Sequence, residues 1–207
     1  MELNTQEEAL LKEHLHKFSL EEKGPPIRSG LDELDAFFLK RGGVHYGKII
    51  EWGAPVGRCG RFMILRFLRD LHESVVWIHG QKEELQVYAP AWAQRGIDLR
   101  LFYFIRSRNP LPELRPLFLE PAFKVIVMDC PERLSPGDWS FISSKVRENK
   151  QLLFVLRPFF LSTKRGNPLV SWRVNCWLRP KEGKYCLNFL KGGEGKIEIP
   201  MSRVRDT

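Results

Sequence analysis

Hydrophobic and polar positions follow two regimes along this chain. Up to about Leu156, short apolar runs alternate with segments whose apolar residues recur every three or four positions. The runs at Lys48–Trp52, Val75–Ile78, Leu101–Ile105, Lys124–Asp129 and Leu152–Leu156 predict strands. Lys124–Asp129 is almost continuously apolar and ends in an acid, the pattern of a strand buried on both faces. Between the runs, Ser29 is placed to cap a short helix reaching about Leu39, with Leu31, Leu34 and Phe38 on one face. Phe62, Leu65, Phe67 and Leu68 mark a second helix, and Glu83–Arg95 a third that Pro90 must kink or divide. Leu111–Glu120, with Pro112 and Pro116, reads as a broken helix or loop. Ser135-Pro136 opens a last helix that runs to about Asn149.

Beyond Arg157 the period shortens to two. Val170–Leu178, Tyr185–Leu190 and Lys196–Ile199 predict short strands, with hairpin turns at Lys181–Lys184 and Lys191–Gly195. The fold class is therefore α/β: a parallel sheet covered by helices on both faces, with an antiparallel β extension at the C-terminal end. The expected domains are residues 1–24, an N-terminal amphipathic helix and linker, and 25–207, the core. The helix is carried by a Thr5-x-x-Glu8 capping box and by Leu11, Leu15 and Phe18, and Gly24-Pro25-Pro26 ends it. Its apolar stripe either docks on a partner or folds back on its own domain.

A chain of 207 residues with 43% hydrophobic content can bury a core without disulfide or metal staples. Its acidic, polar start and the lack of any run near the roughly 18 apolar residues of a membrane helix argue against secretion and membrane insertion. Cys59, Cys130, Cys176 and Cys186 are scattered, without Cys-x-x-Cys spacing, so a reducing cytoplasm is the expected home. The five histidines form no ligand or triad pattern. Charge changes the picture more. The net +8 divides into −3 over residues 1–24 and +11 over the rest, and Asn149–Lys181 holds seven basic residues and no acid. Such a field suits an anionic partner.

Two candidate sites follow. Lys48–Trp52 runs into Gly53-Ala54-Pro55-Val56-Gly57-Arg58-Cys59-Gly60-Arg61, where a phosphate-binding loop would stand. That loop needs turning N–H groups, a lysine for the terminal phosphates and a hydroxyl for magnesium. Here the glycines are kept, while Arg58, Cys59 and Gly60 replace the remainder. In a parallel sheet ligands bind beyond the carboxyl ends of the strands, so this loop, Gln81, Asp129 and Arg157 are expected to meet in one crevice. Asp129 would be the magnesium ligand, and a helix N-terminus flanked by Arg58 and Arg61 still attracts an anion. The alternative is that Gly53, Gly57 and Gly60 serve only a sharp turn.

The second candidate is Arg157–Lys184, which mixes Arg157, Lys164, Arg165, Arg173, Arg179, Lys181 and Lys184 with Phe159, Phe160, Trp172 and Trp177. Cations for phosphates and aromatics for bases are the ingredients of a single-strand groove. Alternation puts Trp172, Val174, Cys176 and Leu178 toward the core and Arg173, Asn175, Trp177 and Arg179 on the open face. The expected DNA contacts are Arg157, Lys164, Arg165, Asn167, Arg173, Trp177 and Arg179, set against a merely solvated basic loop.

Ile27-Arg28-Ser29-Gly30-Leu31-Asp32, Gly42-Gly43-Val44 and Gly47-Lys48-Ile49-Ile50-Glu51 resemble the opening of RecA-type recombinase cores. Val125–Asp129 is similar to their Walker B strand, and Asn167-Pro168-Leu169 resembles the passage after their second DNA-binding loop. The resemblance spans roughly residues 24–205 and implies a RecA-like core. It also implies that Gln81 stands where the catalytic glutamate belongs, and Arg157-Pro158 where the terminal phosphate is sensed. The vestigial nucleotide site is then Gly53, Gly57, Arg58, Cys59, Gly60, Arg61, Gln81 and Asp129, with no catalytic residue, no metal and no cofactor expected, ATP and magnesium being the alternative. Small RecA-like proteins with such an eroded loop resemble the ImuA family of bacterial mutagenesis cassettes and the SulA-like division inhibitors grouped with it. The ImuA resemblance implies a cytoplasmic, non-catalytic accessory factor of the SOS DNA-damage response. Its implied partners are single-stranded or primer-template DNA, an ImuB-type polymerase homologue, an error-prone polymerase and RecA. A DNA-stimulated ATPase and a SulA-like inhibitor are the alternatives.

Overall fold

A computed structural model describes residues 24–55, 60–80, 87–107, 110–129, 131 and 134–205. The expected N-terminal helix, Gly57, Arg58, Cys59, Gln81 and the first part of Glu83–Arg95 lie outside these residues. The elements are α1 (Asp32–Leu39), β1 (Lys48–Gly53), α2 (Gly60–Leu68), β2 (Val75–Gly80), α3 (Ala89–Ala93), β3 (Phe102–Ser107), α4 (Pro110–Leu119), β4 (Val125–Asp129), α5 (Pro136–Glu148), β5 (Leu152–Arg157), β6 (Trp172–Arg179), β7 (Lys184–Lys191), β8 (Gly195–Pro200) and α6 (Met201–Arg205).

The architecture is α/β. One eight-stranded sheet has the order β3-β2-β4-β5-β1-β6-β7-β8. Neighbours from β3 to β6 are parallel, and β7 and β8 extend the sheet antiparallel. β1 lies inside the sheet, paired Gly53↔Arg157 with β5 and Gly53↔Asn175 with β6. This register brings the ends of β1 and β5 beside the middle of β6 around Gly53.

Because side chains alternate across a strand, each central strand feeds two cores. On one face Ile50, Trp52, Trp77, Val127, Phe154, Val174 and Leu187 pack against Phe38 of α1 and Met63, Ile64 and Phe67 of α2. On the other, Ile49, Val76, Ile126, Met128, Leu153 and Val155 meet Phe118 of α4 and Trp139, Ile142 and Val146 of α5. All five residues of β4 are buried, in keeping with its apolar run. Ser135 caps α5 in a reciprocal box with Asp138, each side chain bonding the other's backbone N–H.

Three local expectations are corrected. Ser29 does not cap α1; its N–H and hydroxyl donate to Asp35 Oδ1 at 2.7 and 2.8 Å, so Asp35 organises the entry instead. Leu111–Glu120 is not broken, since α4 is continuous with Pro116 inside it. An internal proline costs about 3 kcal/mol, and burying Leu111 and Phe118 against the sheet offsets this. Arg173 and Asn175, expected on an open face, are buried at 4% and 6% exposure because the chain between Arg157 and Trp172 folds over that part of the sheet.

Candidate functional site

Two strand acids stand in this part of the sheet, one at the carboxyl end of β4 and one within β1, and neither faces water. Asp129, at the end of β4, is fully buried. Its Oδ2 accepts from Arg61 Nε at 2.7 Å and from Trp77 Nε1 at 3.0 Å, while His79 Nδ1 stands 3.6 Å away. Burial pushes the His79 imidazole below its usual value against the opposing pull of Asp129, so it is neutral at pH 7. Arg61 sits in the first turn of α2, aimed back over the sheet, and reaches an acid 68 residues away. The sequence places Arg61 and Asp129 in one crevice, and the structure joins them directly.

As placed, these side chains do not fit a magnesium ion. Among the described residues the one carboxylate in reach already holds a guanidinium, which a cation would have to displace, and Gly60 offers no hydroxyl. Nor is glycine at 53 and 60 explained by phosphate. A Cβ at Gly60 would lie 2.5 Å from Ala54 Cβ and 2.8 Å from Leu156 Cδ1. One at Gly53 would strike Asn175 Oδ1 and approach Leu161 Cγ and the Phe159 carbonyl oxygen, each at 2.9 Å. Both positions need glycine because backbone and core close on them.

The second acid is Glu51, in the middle of β1 and fully buried. Its Oε1 accepts from Arg157 Nε at 3.1 Å; its Oε2 accepts from the Asn167 N–H at 2.8 Å and from Arg173 Nε at 3.4 Å. Arg173 also donates to the carbonyls of Ser162, Thr163 and Asn167. Asn175 clamps the same segment, its carboxamide accepting from the Leu161 N–H and donating to the Leu161 carbonyl. These groups fold residues 158–171 onto the sheet. Arg157, Asn167 and Arg173, expected as DNA contacts, are thus spent on holding the loop. One carboxylate against two guanidiniums leaves a unit of positive charge behind it.

What the loop presents outward is different. Lys164 and Arg165 are exposed, and the Arg165 guanidinium lies over the Phe159 ring at 3.9 Å from its centroid. A tight turn fixes them, the Arg165 N–H donating to Ser162 Oγ. Trp177 is half-buried beside Phe160, their ring centroids 5.8 Å apart and nearly perpendicular. Arg179 is exposed, lies 6.0 Å from the Trp177 ring and pairs with Glu182 and Glu198. Of the seven expected contacts, Lys164, Arg165, Trp177 and Arg179 reach the surface.

Sequence reasoning missed Glu51, the centre of the network. A signal existed, since a lone acid between Ile50 and Trp52 in an apolar strand must find cationic partners or neutralise. Among the described residues, no helix is long and apolar enough to cross a membrane. No protein-family model matches the chain, and no curated protein is similar to it in sequence.

Proposed function

We propose that this chain is a non-catalytic, RecA-like accessory factor of the ImuA type. It binds single-stranded or primer-template DNA during damage-induced translesion synthesis, alongside an ImuB-type polymerase homologue and an error-prone polymerase. The RecA-like reading is supported by glycines at the end of an interior strand and at the start of the helix that follows it (Gly53 and Gly60), an acid at the end of β4, and β5 between the two strands. The observation that carries the non-catalytic part is the Arg61 guanidinium on Asp129, where a nucleotide-hydrolysing site would hold its metal. The DNA-binding part rests on Lys164 and Arg165, exposed on a braced loop in the most basic part of the chain.

A titration of labelled ATP with and without magnesium, followed by a turnover assay, tests the first part. The expected result is no magnesium-dependent turnover. Hydrolysis that disappears in Asp129→Asn would overturn it in favour of a divergent ATPase. The second part is tested by measuring affinity for a labelled single strand across a salt series. Replacing Lys164 and Arg165 by alanine should weaken binding and flatten the slope of log K against log salt by about 1.4, at roughly 0.7 per phosphate contact on a single strand. An unchanged slope removes the loop from the interface. Pull-down against an ImuB-type polymerase homologue and against the division protein distinguishes the translesion role from the SulA-like one.

A further inference from the structure

Beside the braced loop lies a cavity of about 480 Å³ whose walls are Pro55, Phe160, Asn175, Trp177 and Asn188. Its volume falls in the range of about 300–1,000 Å³ typical of small-molecule sites. Two aromatic rings meet there nearly at right angles, at 82°, so a flat guest can lie on one ring with its edge toward the other. The two asparagines are not equivalent. Both ends of the Asn175 carboxamide are taken by Leu161. Among the described residues no hydrogen bond engages the Asn188 carboxamide, which is half-buried in the wall with a donor and an acceptor to offer. Lys164 and Arg165 follow Phe160 on the same loop, and Arg179 follows Trp177 on β6.

From this juxtaposition we infer that the cavity receives one unstacked base of a single DNA strand. The base stacks on Trp177 and Phe160, and Asn188 bonds its edge. The strand's phosphates run along Lys164 and Arg165. Aromatic faces take any base, a single free carboxamide adds a modest preference, and rim cations neutralise the backbone. Neither an acidic peptide nor a lipid surface calls for a cavity walled by two rings with one carboxamide. The inference rests on the DNA-binding reading above and adds a base-binding site to it.

The test compares a labelled oligothymidylate with an abasic strand of equal length and charge, by fluorescence anisotropy. Trp177→Ala should weaken binding to the oligothymidylate about tenfold, as loss of one stacked base does, and leave the abasic strand unaffected. Phe160→Ala, at a loop position 47% exposed where truncation spares the core, should act in the same direction. Asn188→Ala should alter the ranking of homopolymeric strands of the four bases. The inference is overturned if the Trp177 and Phe160 variants bind oligothymidylate like the parent, or if they lose the abasic strand equally. Should those two variants bind normally while the Lys164/Arg165 variant loses both strands, only the pocket falls. A parent protein that binds neither strand overturns the pocket and the DNA-binding reading together.

Discussion

Glu51→Ala is expected to destabilise the fold by about 3–5 kcal/mol, the range found when one member of a buried ion pair is removed. Glu51 is fully buried, and the side chains of Arg157 and Arg173 beside it are 12% and 4% exposed. Without the carboxylate, two guanidiniums and the Asn167 N–H lose their common acceptor in a place water hardly reaches. With a typical folding stability of about 5–15 kcal/mol, such a loss is a large fraction of the total. The measurement is a urea denaturation series, read as a lowered midpoint at similar slope. Truncating Arg173 together with Glu51 should cost less than the sum of the separate changes, because it removes a stranded charge with its partner. A midpoint for Glu51→Ala within error of the parent would show that the network does not hold the loop.

Gly53→Ala is expected to cost about 3 kcal/mol, the upper end of the usual penalty for overpacking. The added carbon meets Asn175 Oδ1, Leu161 Cγ and the Phe159 carbonyl, and two of these belong to the loop that covers the sheet. Relief requires lifting that loop, which breaks the paired hydrogen bonds between Asn175 and Leu161. Amide exchange should therefore quicken at Leu161 beyond what the global loss explains. The same substitution separates two readings of this glycine. If its role were to let backbone approach a phosphate, stability would be untouched and only anion affinity would change.

Much of the architecture is legible in the residues because it depends on local pattern. The apolar run at Val125–Asp129 and the capping box at Ser135 require only their neighbours to form. The same holds for the two-residue period after Val170, where the strands begin within two residues of the places the alternation marks. Legibility fails where a distant group overrides a local signal. Ser29 has the chemistry of a cap, but Asp35 competes for its hydroxyl. Pro116 has the chemistry of a break, but Phe118 is buried beyond it. Alternation on β6 assigns faces correctly, with Trp172, Val174 and Cys176 inside. It does not reveal that residues 158–171 lie over the other face.

The candidate sites divide in the same way. The basic, aromatic character of residues 157–184 and the loss of lysine and hydroxyl from the glycine-rich loop are written in the sequence, since composition and spacing need no partner. Which of those cations are available is not. Glu51 lies 106 residues from Arg157 and 122 from Arg173, and only the order β5-β1-β6 makes them neighbours. By itself, then, the sequence determined where the strands and most of the described helices lie along the chain, and the sign of the late-chain charge. Tertiary structure decided that Arg157 and Arg173 are spent on a buried acid, that Arg61 occupies Asp129, and that Lys164, Arg165, Phe160 and Trp177 are left at the surface. The physical reason is that a charge's function depends on what neutralises it, and pairing across a sheet is set by strand order rather than by distance along the chain.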